Sequence, residues 1–113
     1  MIENVHPSDL SAWFDKMKVH GEPVILDVRE PGEVQTASIK PAAGELVYIP
    51  MGVIPPRLHE LEPSRPVACL CHHGARSMRV ATFLENQGFS HVANITGGIN
   101  AWSSQVDPSV PRY

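Results

Sequence analysis

Apolar residues fall in short runs, divided by prolines, glycines and charged stretches. The segment His6-Pro7-Ser8-Asp9 opens a helical pattern. Leu10, Trp13, Phe14 and Met17 recur at helix spacing, and Gly21 with Pro23 closes it. Val24-Ile25-Leu26-Asp27-Val28 is short, apolar and rich in β-branched residues, which predicts a buried strand. Glu30-Pro31-Gly32-Glu33-Val34 reads as a helix start with proline in its first turn. Leu46-Val47-Tyr48-Ile49 predicts a second strand, ended by Pro50, and residues 53–61 read as helical after Pro55-Pro56. Pro66-Val67-Ala68-Cys69-Leu70-Cys71 predicts a third strand. Residues 77–87 predict a helix with Val80, Ala81 and Leu84 on one face and Gly88 as its stop. Val92-Ala93-Asn94-Ile95 predicts a fourth strand, and Gly98-Ile99-Asn100-Ala101-Trp102 begins a last short helix. An irregular tail follows, Asp107-Pro108-Ser109-Val110-Pro111.

Strands that alternate with helices predict an α/β fold with a parallel sheet. Strands that are apolar throughout, rather than at every second position, predict burial on both faces. Sites in such sheets form at the carboxyl ends of the strands. Two places therefore matter, one just after Val28 and one just after Leu70. The length of 113 residues fits one domain, with residues 1–105 as the folded unit and 106–113 as a tail.

Composition removes several function classes. Net charge is -3, from 9 Lys+Arg against 12 Asp+Glu, and no basic stripe exists to hold nucleic acid. No apolar run approaches the ~20 residues of a membrane helix. The start, Met1-Ile2-Glu3-Asn4-Val5, lacks the charged-then-apolar pattern of a secretory signal. Cys69 and Cys71 would stand ~6.5–7 Å apart in a strand, at the edge of disulfide geometry. Free thiols in a reducing cytoplasm follow as the expectation. Those thiols must then serve the core, a metal or catalysis. Cys69, inside the strand, reads as core, with a resolving thiol as its alternative. Zinc sites favour cysteines two to four residues apart, and adjacent His72 and His73 do not aim easily at one ion, so no metal or cofactor is expected.

The chemistry concentrates in Cys71-His72-His73-Gly74-Ala75-Arg76-Ser77, between a buried strand and a helix. A helix N-terminus offers unpaired N–H groups and partial positive charge. Gly74 allows the loop to curl, so that amides point inward as an anion-holding nest. Arg76 adds a fixed positive charge. Such surroundings favour a thiolate, which is the nucleophilic form. Four residues separate Cys71 from Arg76. A cysteine-phosphatase loop has five, so this ring is tighter and suits one sulfur atom on the cysteine better than a phosphate.

These residues resemble the single-domain rhodanese family of sulfurtransferases. Cys71, Gly74, Arg76 and Ser77 match its C-x-x-G-x-R-S style loop. Leu26, Asp27, Val28, Arg29, Pro31 and Glu33 match its L-D-V-R-x-P-x-E segment. Gly88, Phe89, Val92, Gly97, Gly98, Ile99, Ala101 and Trp102 match its late segment. The resemblance implies a rhodanese-like, five-stranded parallel sheet with helices on both faces, with Glu3-Asn4-Val5 as the extra strand. The chain departs from the family at Ala37-Ser38-Ile39-Lys40-Pro41-Ala42, where Ser38 replaces the usual histidine. Its tail, Val106 through Pro111, is similar to the end of rhodanese domains fused to enzymes that adenylate sulfur-carrier proteins.

The resemblance also implies a two-step exchange through a Cys71 persulfide. The donor would be thiosulfate or a persulfide, and the acceptor cyanide, a thiol or a sulfur-carrier protein. The N–H groups of His72, His73, Gly74, Ala75, Arg76 and Ser77 would form the binding loop. Arg76 would shape that loop and draw in anionic donors, and Ser77 would cap the following helix. His72 and His73 read as loop residues that tune charge rather than as bases. Asp27 and Arg29 read as supports at the rim, paired with each other or touching substrate. Arsenate reduction or phosphatase chemistry on the same fold, and a non-enzymatic binding module, stand as alternatives.

Overall fold

The computed structural model describes residues 2–41 and 43–113. Met1 and Ala42, which figure in the sequence readings above, lie outside the described residues. Among the described residues, five strands form one parallel sheet: β1 (Glu3–Val5), β2 (Val24–Asp27), β3 (Glu45–Tyr48), β4 (Val67–Leu70) and β5 (Val92–Ile95). Their spatial order is β1-β5-β4-β2-β3. The three inner strands are buried at every position, as their largely apolar sequences require, with Asp27 in β2 and Asn94 in β5 as buried polar exceptions. The edge strands β1 and β3 are partly exposed.

Two apolar clusters cover the two faces. Helix α1 (Leu10–Met17) and helix α5 (Gly98–Gln105) bring Leu10, Trp13, Phe14, Ile99 and Trp102 against Ile25, Ala68, Leu70, Ala93 and Ile95. Helix α4 (Ala75–Asn86) and short α3 (Ile54–Arg57) bring Val80, Ala81, Leu84 and Ile54 against Leu26, Cys69 and Val92. Side chains alternate across a strand, so Cys69 and Cys71 share the α4 face while Ala68 and Leu70 take the other. Val110 of the tail is buried in the first cluster, and Ser103 Oγ donates to its carbonyl at 2.7 Å.

The helical stretch expected over 53–61 is broken: α3 has four residues and is flanked by 3-10 turns at Met51–Val53 and Leu58–Glu60. Pro55 and Pro56 remove two N–H donors, which stops a regular ladder from running through. Helix α2 (Pro31–Thr36) begins with the expected proline, and Glu30 and Glu33 form a reciprocal capping box. Ser38 Oγ donates to the Val34 carbonyl at 2.6 Å, tying down the segment that departs from the family pattern.

Candidate active site

The sulfur of Cys71 lies at the first position beyond β4, and the residue is 2% exposed. The chain curls there because Gly74 takes φ +110°, a region that favours glycine. The curl aims the Gly74 N–H at Cys71 Sγ, 3.0 Å away. Helix α4 begins immediately after Gly74, and its first N–H groups have no partner within the helix. The thiol therefore sits at the positive end of a twelve-residue helix.

A second turn holds the loop from behind. Gly97 and Gly98 both have positive φ, +77° and +59°. They let α5 start close against the loop, so that Ile99 N–H donates to the Cys71 carbonyl (2.9 Å) and Asn100 N–H to that of His72 (3.2 Å). A Cβ on Gly98 would collide with both carbonyls. Among the sequence-matched residues these glycines gain a physical reason: two backbones touch there.

Ser77 corrects an expectation. The helix begins at Ala75, not at Ser77, and its N-cap is Gly74, which has no side chain to cap with. Ser77 lies within the first turn, fully buried, with Oγ 3.2 Å from Cys71 Sγ. Its hydroxyl donates to Asn94 Oδ1 at 2.5 Å, and Asn94 Nδ2 donates to Asn4 Oδ1 at 3.3 Å. The positive φ at Gly74 starts the helix two residues early, which turns Ser77 inward towards the sulfur.

Arg76 is clamped rather than free. Its Nη1 and Nη2 donate to Glu33 Oε2 and Oε1 at 2.7 and 2.8 Å, a bidentate pair across 43 residues of sequence. The Arg76 hydrogen bonds, joined by Glu30 N–H and Tyr113 O–H, push the Glu33 carboxyl down to about 2. The Glu33 hydrogen bonds outweigh burial and hold Arg76 above its ordinary value.

Asp27 and Arg29 are not at an open rim: both are 1% exposed and paired side by side. Arg29 Nε and Nη2 donate to the Asp27 carboxylate at 2.9 and 2.7 Å, and Asp27 also accepts the Arg29 N–H. Burial opposes the Arg29 charge, but the Asp27 and Tyr113 interactions outweigh it and raise its pKa. Arg29 Nη1 reaches outward to the Glu33 carbonyl and the Tyr113 hydroxyl.

His72 is half-buried and its ring is stacked on both sides, on His73 at 3.9 Å and on Tyr113 at 3.8 Å. Its Nε2 is buried and has no hydrogen-bond partner among the described residues. Burial first, and the charge of His73 second, lower its pKa. His73 and Ala75 are exposed on the outer side of the loop. Cys69 is fully buried and burial raises its pKa; both cysteines are free.

Sequence reasoning gave no role to Glu33, Asn94 or Tyr113. Glu33 was visible only as a motif position. Asn94 carried one signal, a polar residue in an otherwise apolar inner strand. The partners of all three lie far away along the chain.

Comparison with known proteins bears on the family and the fold. A family model described as a rhodanese-like domain matches residues 7–105. The chain is 44% identical to the Rhodanese-like/PpiC domain-containing protein 12, chloroplastic, of Arabidopsis thaliana; the match covers 99% of this chain and 38% of that protein. It is 36% identical to the putative sulfurtransferase YtwF of Bacillus subtilis, over 87% of this chain and 90% of that one. The crystal structure of a rhodanese-related protein from Thermoplasma volcanium superposes with a TM-score of 0.76 at 28% identity, covering 98% of this chain and 99% of that one.

Proposed function

The chain belongs to the rhodanese-like domain family, and from that premise we propose that it is a sulfurtransferase working through a Cys71 persulfide. One observation carries the reading: Cys71 Sγ receives the Gly74 N–H at 3.0 Å, in a curled loop at the start of α4.

In the first half-reaction the Cys71 thiolate attacks the outer sulfur of thiosulfate or of a donor persulfide. A Cys71–sulfur bond forms, the donor's S–S bond breaks, and sulfite or a thiolate leaves with the electron pair. In the second, cyanide, a thiol or a sulfur-carrier protein attacks the terminal sulfur. The Cys71 thiolate then departs with the electrons of the broken bond. The persulfide keeps its negative charge throughout, so N–H donors fixed in place stabilise it without reorganisation. The free amides at the start of α4 supply them. Arg76 acts as a structural member of this loop, since Glu33 already neutralises it. No helix among the described residues is long and apolar enough to cross a membrane, and free thiols suit a reducing compartment such as the cytoplasm.

The test is intact-protein mass spectrometry after incubation with thiosulfate, and separately with a small-molecule persulfide, for wild type and Cys71→Ser. The expected result is a gain of one sulfur atom that cyanide removes and the variant lacks. No gain from either donor would reject the reading and turn attention to arsenate, phosphate esters or protein partners.

A further inference from the structure

A buried polar chain runs from the nucleophile to the edge of the sheet. Its atoms are Cys71 Sγ, Ser77 Oγ, the Asn94 amide and the Asn4 amide, with separations of 3.2, 2.5 and 3.3 Å. Asn94 is 5% exposed on the apolar α4 side of β5, and Asn4 stands opposite it in the β1–β5 register. An amide in such a place is costly unless it is hydrogen-bonded, so the chain must be satisfied whatever the state of the sulfur.

Ser77 has one proton to give, and that decides the matter. When Ser77 donates to Asn94 Oδ1, its oxygen is free to accept from the sulfur, which must then be a thiol. A thiolate or persulfide has no such proton, so beside the Gly74 N–H its 3.2 Å contact with Ser77 is a hydrogen bond only when Ser77 donates. The same heavy atoms satisfy that state once both amides turn over: Ser77 donates to sulfur, Asn94 Nδ2 to Ser77 Oγ, and Asn4 Nδ2 to Asn94 Oδ1. Asn4 is exposed, so its end of the chain reverses at the solvent boundary.

We propose that Asn94 and Asn4 are positioning residues whose amide orientation, passed through Ser77, sets whether the Cys71 sulfur is held as a hydrogen-bond donor or as an anionic acceptor. This rests on the reading of Cys71 as the reactive thiol. The other titratable groups around the sulfur are Cys69 on β4, Arg76 on α4 offset by Glu33 from α2, and His72 and His73 on the loop, while the Asp27–Arg29 pair at the end of β2 is closed on itself. None of these has to move for the chain to reverse.

The test is the pH dependence of Cys71 alkylation by iodoacetamide, on the full chain, with the label located by mass spectrometry. Asn4→Asp changes an exposed residue, and its carboxylate can only accept. It therefore holds the Asn94 amide with Nδ2 outward and Oδ1 on Ser77, the arrangement that withholds the Ser77 proton from sulfur. The expected result is an apparent thiol pKa about one unit higher, which is about tenfold slower alkylation at pH below it. In a Ser77→Ala background, Asn4→Asp should no longer change the titration. Asn94→Leu, which removes the middle member of the chain without adding a charge, should likewise leave the titration indifferent to Asn4→Asp. No shift, or an equal shift in the Ser77→Ala background, would leave only the carboxylate's field and overturn the proposal. Sulfur loading is read separately. A chain that loads sulfur from thiosulfate but whose titration ignores Asn4 and Asn94 rejects the relay alone. A chain whose titration responds but which takes no sulfur rejects sulfur transfer alone.

Discussion

The carboxylate of Glu33 faces the guanidinium of Arg76 edge to edge, with both oxygens bonded at 2.7 and 2.8 Å. This contact fixes the Cys71 loop to α2 and removes the loop's formal positive charge from play. It also makes the loop sensitive to acid. The Glu33 carboxyl is depressed to about 2 in the folded chain, against about 4.5 for an ordinary one. A depressed carboxyl stabilises the fold fully above its unfolded value, and that contribution is lost as pH falls through the folded one.

Glu33→Gln is therefore expected to flatten the acid limb of a stability profile between about pH 4.5 and 2. At neutral pH it should cost about 1 kcal/mol, the scale of a partly exposed ion pair with good geometry. Urea denaturation of both proteins at pH 7, 4 and 3 measures this. Parallel profiles would show that another group governs the acid limb.

Gly98→Ala tests the backbone contact behind the loop. The new Cβ meets the Cys71 and His72 carbonyls at a φ of +59°. Overpacking and strain together predict a loss of about 2–4 kcal/mol and of sulfur loading. Gly52→Ala has nothing within 4 Å of its Cβ and serves as the control, expected within about 0.5 kcal/mol of wild type. Equal denaturation midpoints for the two variants would show that the loop gives way to the new methyl group.

Asp27→Asn leaves Arg29 buried without its counter-charge. Removing one partner of a pair whose side chains are both 0% exposed is expected to cost about 3–5 kcal/mol, read by chemical denaturation. A loss under about 1 kcal/mol would mean that Tyr113 and the Glu33 carbonyl suffice for the guanidinium.

Cys69 is expected to be silent in catalysis. It is fully buried with a raised pKa, so iodoacetamide should label Cys71 in the native chain and Cys69 only after unfolding. Cys69→Ala should load sulfur as wild type does, at a cost of about 1 kcal/mol for the small cavity. Lost loading in this variant, with the fold intact by circular dichroism, would restore Cys69 as a resolving thiol.

The parts of this fold that were legible in the sequence are those governed by local patterning. Continuous apolar runs marked β2, β4 and β5, and 3.6-residue spacing marked α1 and α4. Strand β1 was not legible that way, because it has three residues of which Val5 alone is buried. It came only from the family resemblance. The candidate nucleophile was legible because strand, glycine and helix start are adjacent in sequence. The inward turn of Ser77 was not, because it depends on where α4 begins, and the Gly74 φ decides that. The partners of Glu33 and Tyr113 were invisible because they pair across 43 and 80 residues.

The strand order has a consequence for how the molecule comes into being. Strand β1 pairs with β5, so the first segment of the chain waits for the last strand before it has a place in the sheet. The Gly97-Gly98 turn and the Asn94–Asn4 contact arrive at the same moment. Until then Cys71 has neither the amides behind its loop nor the buried chain beside it. Assembly of the sheet and completion of the thiol's surroundings are thus one late, non-local event, of the kind that is slow to form. A nascent or truncated chain that lacks β5 carries the cysteine and its loop but not the turn that braces the loop from behind.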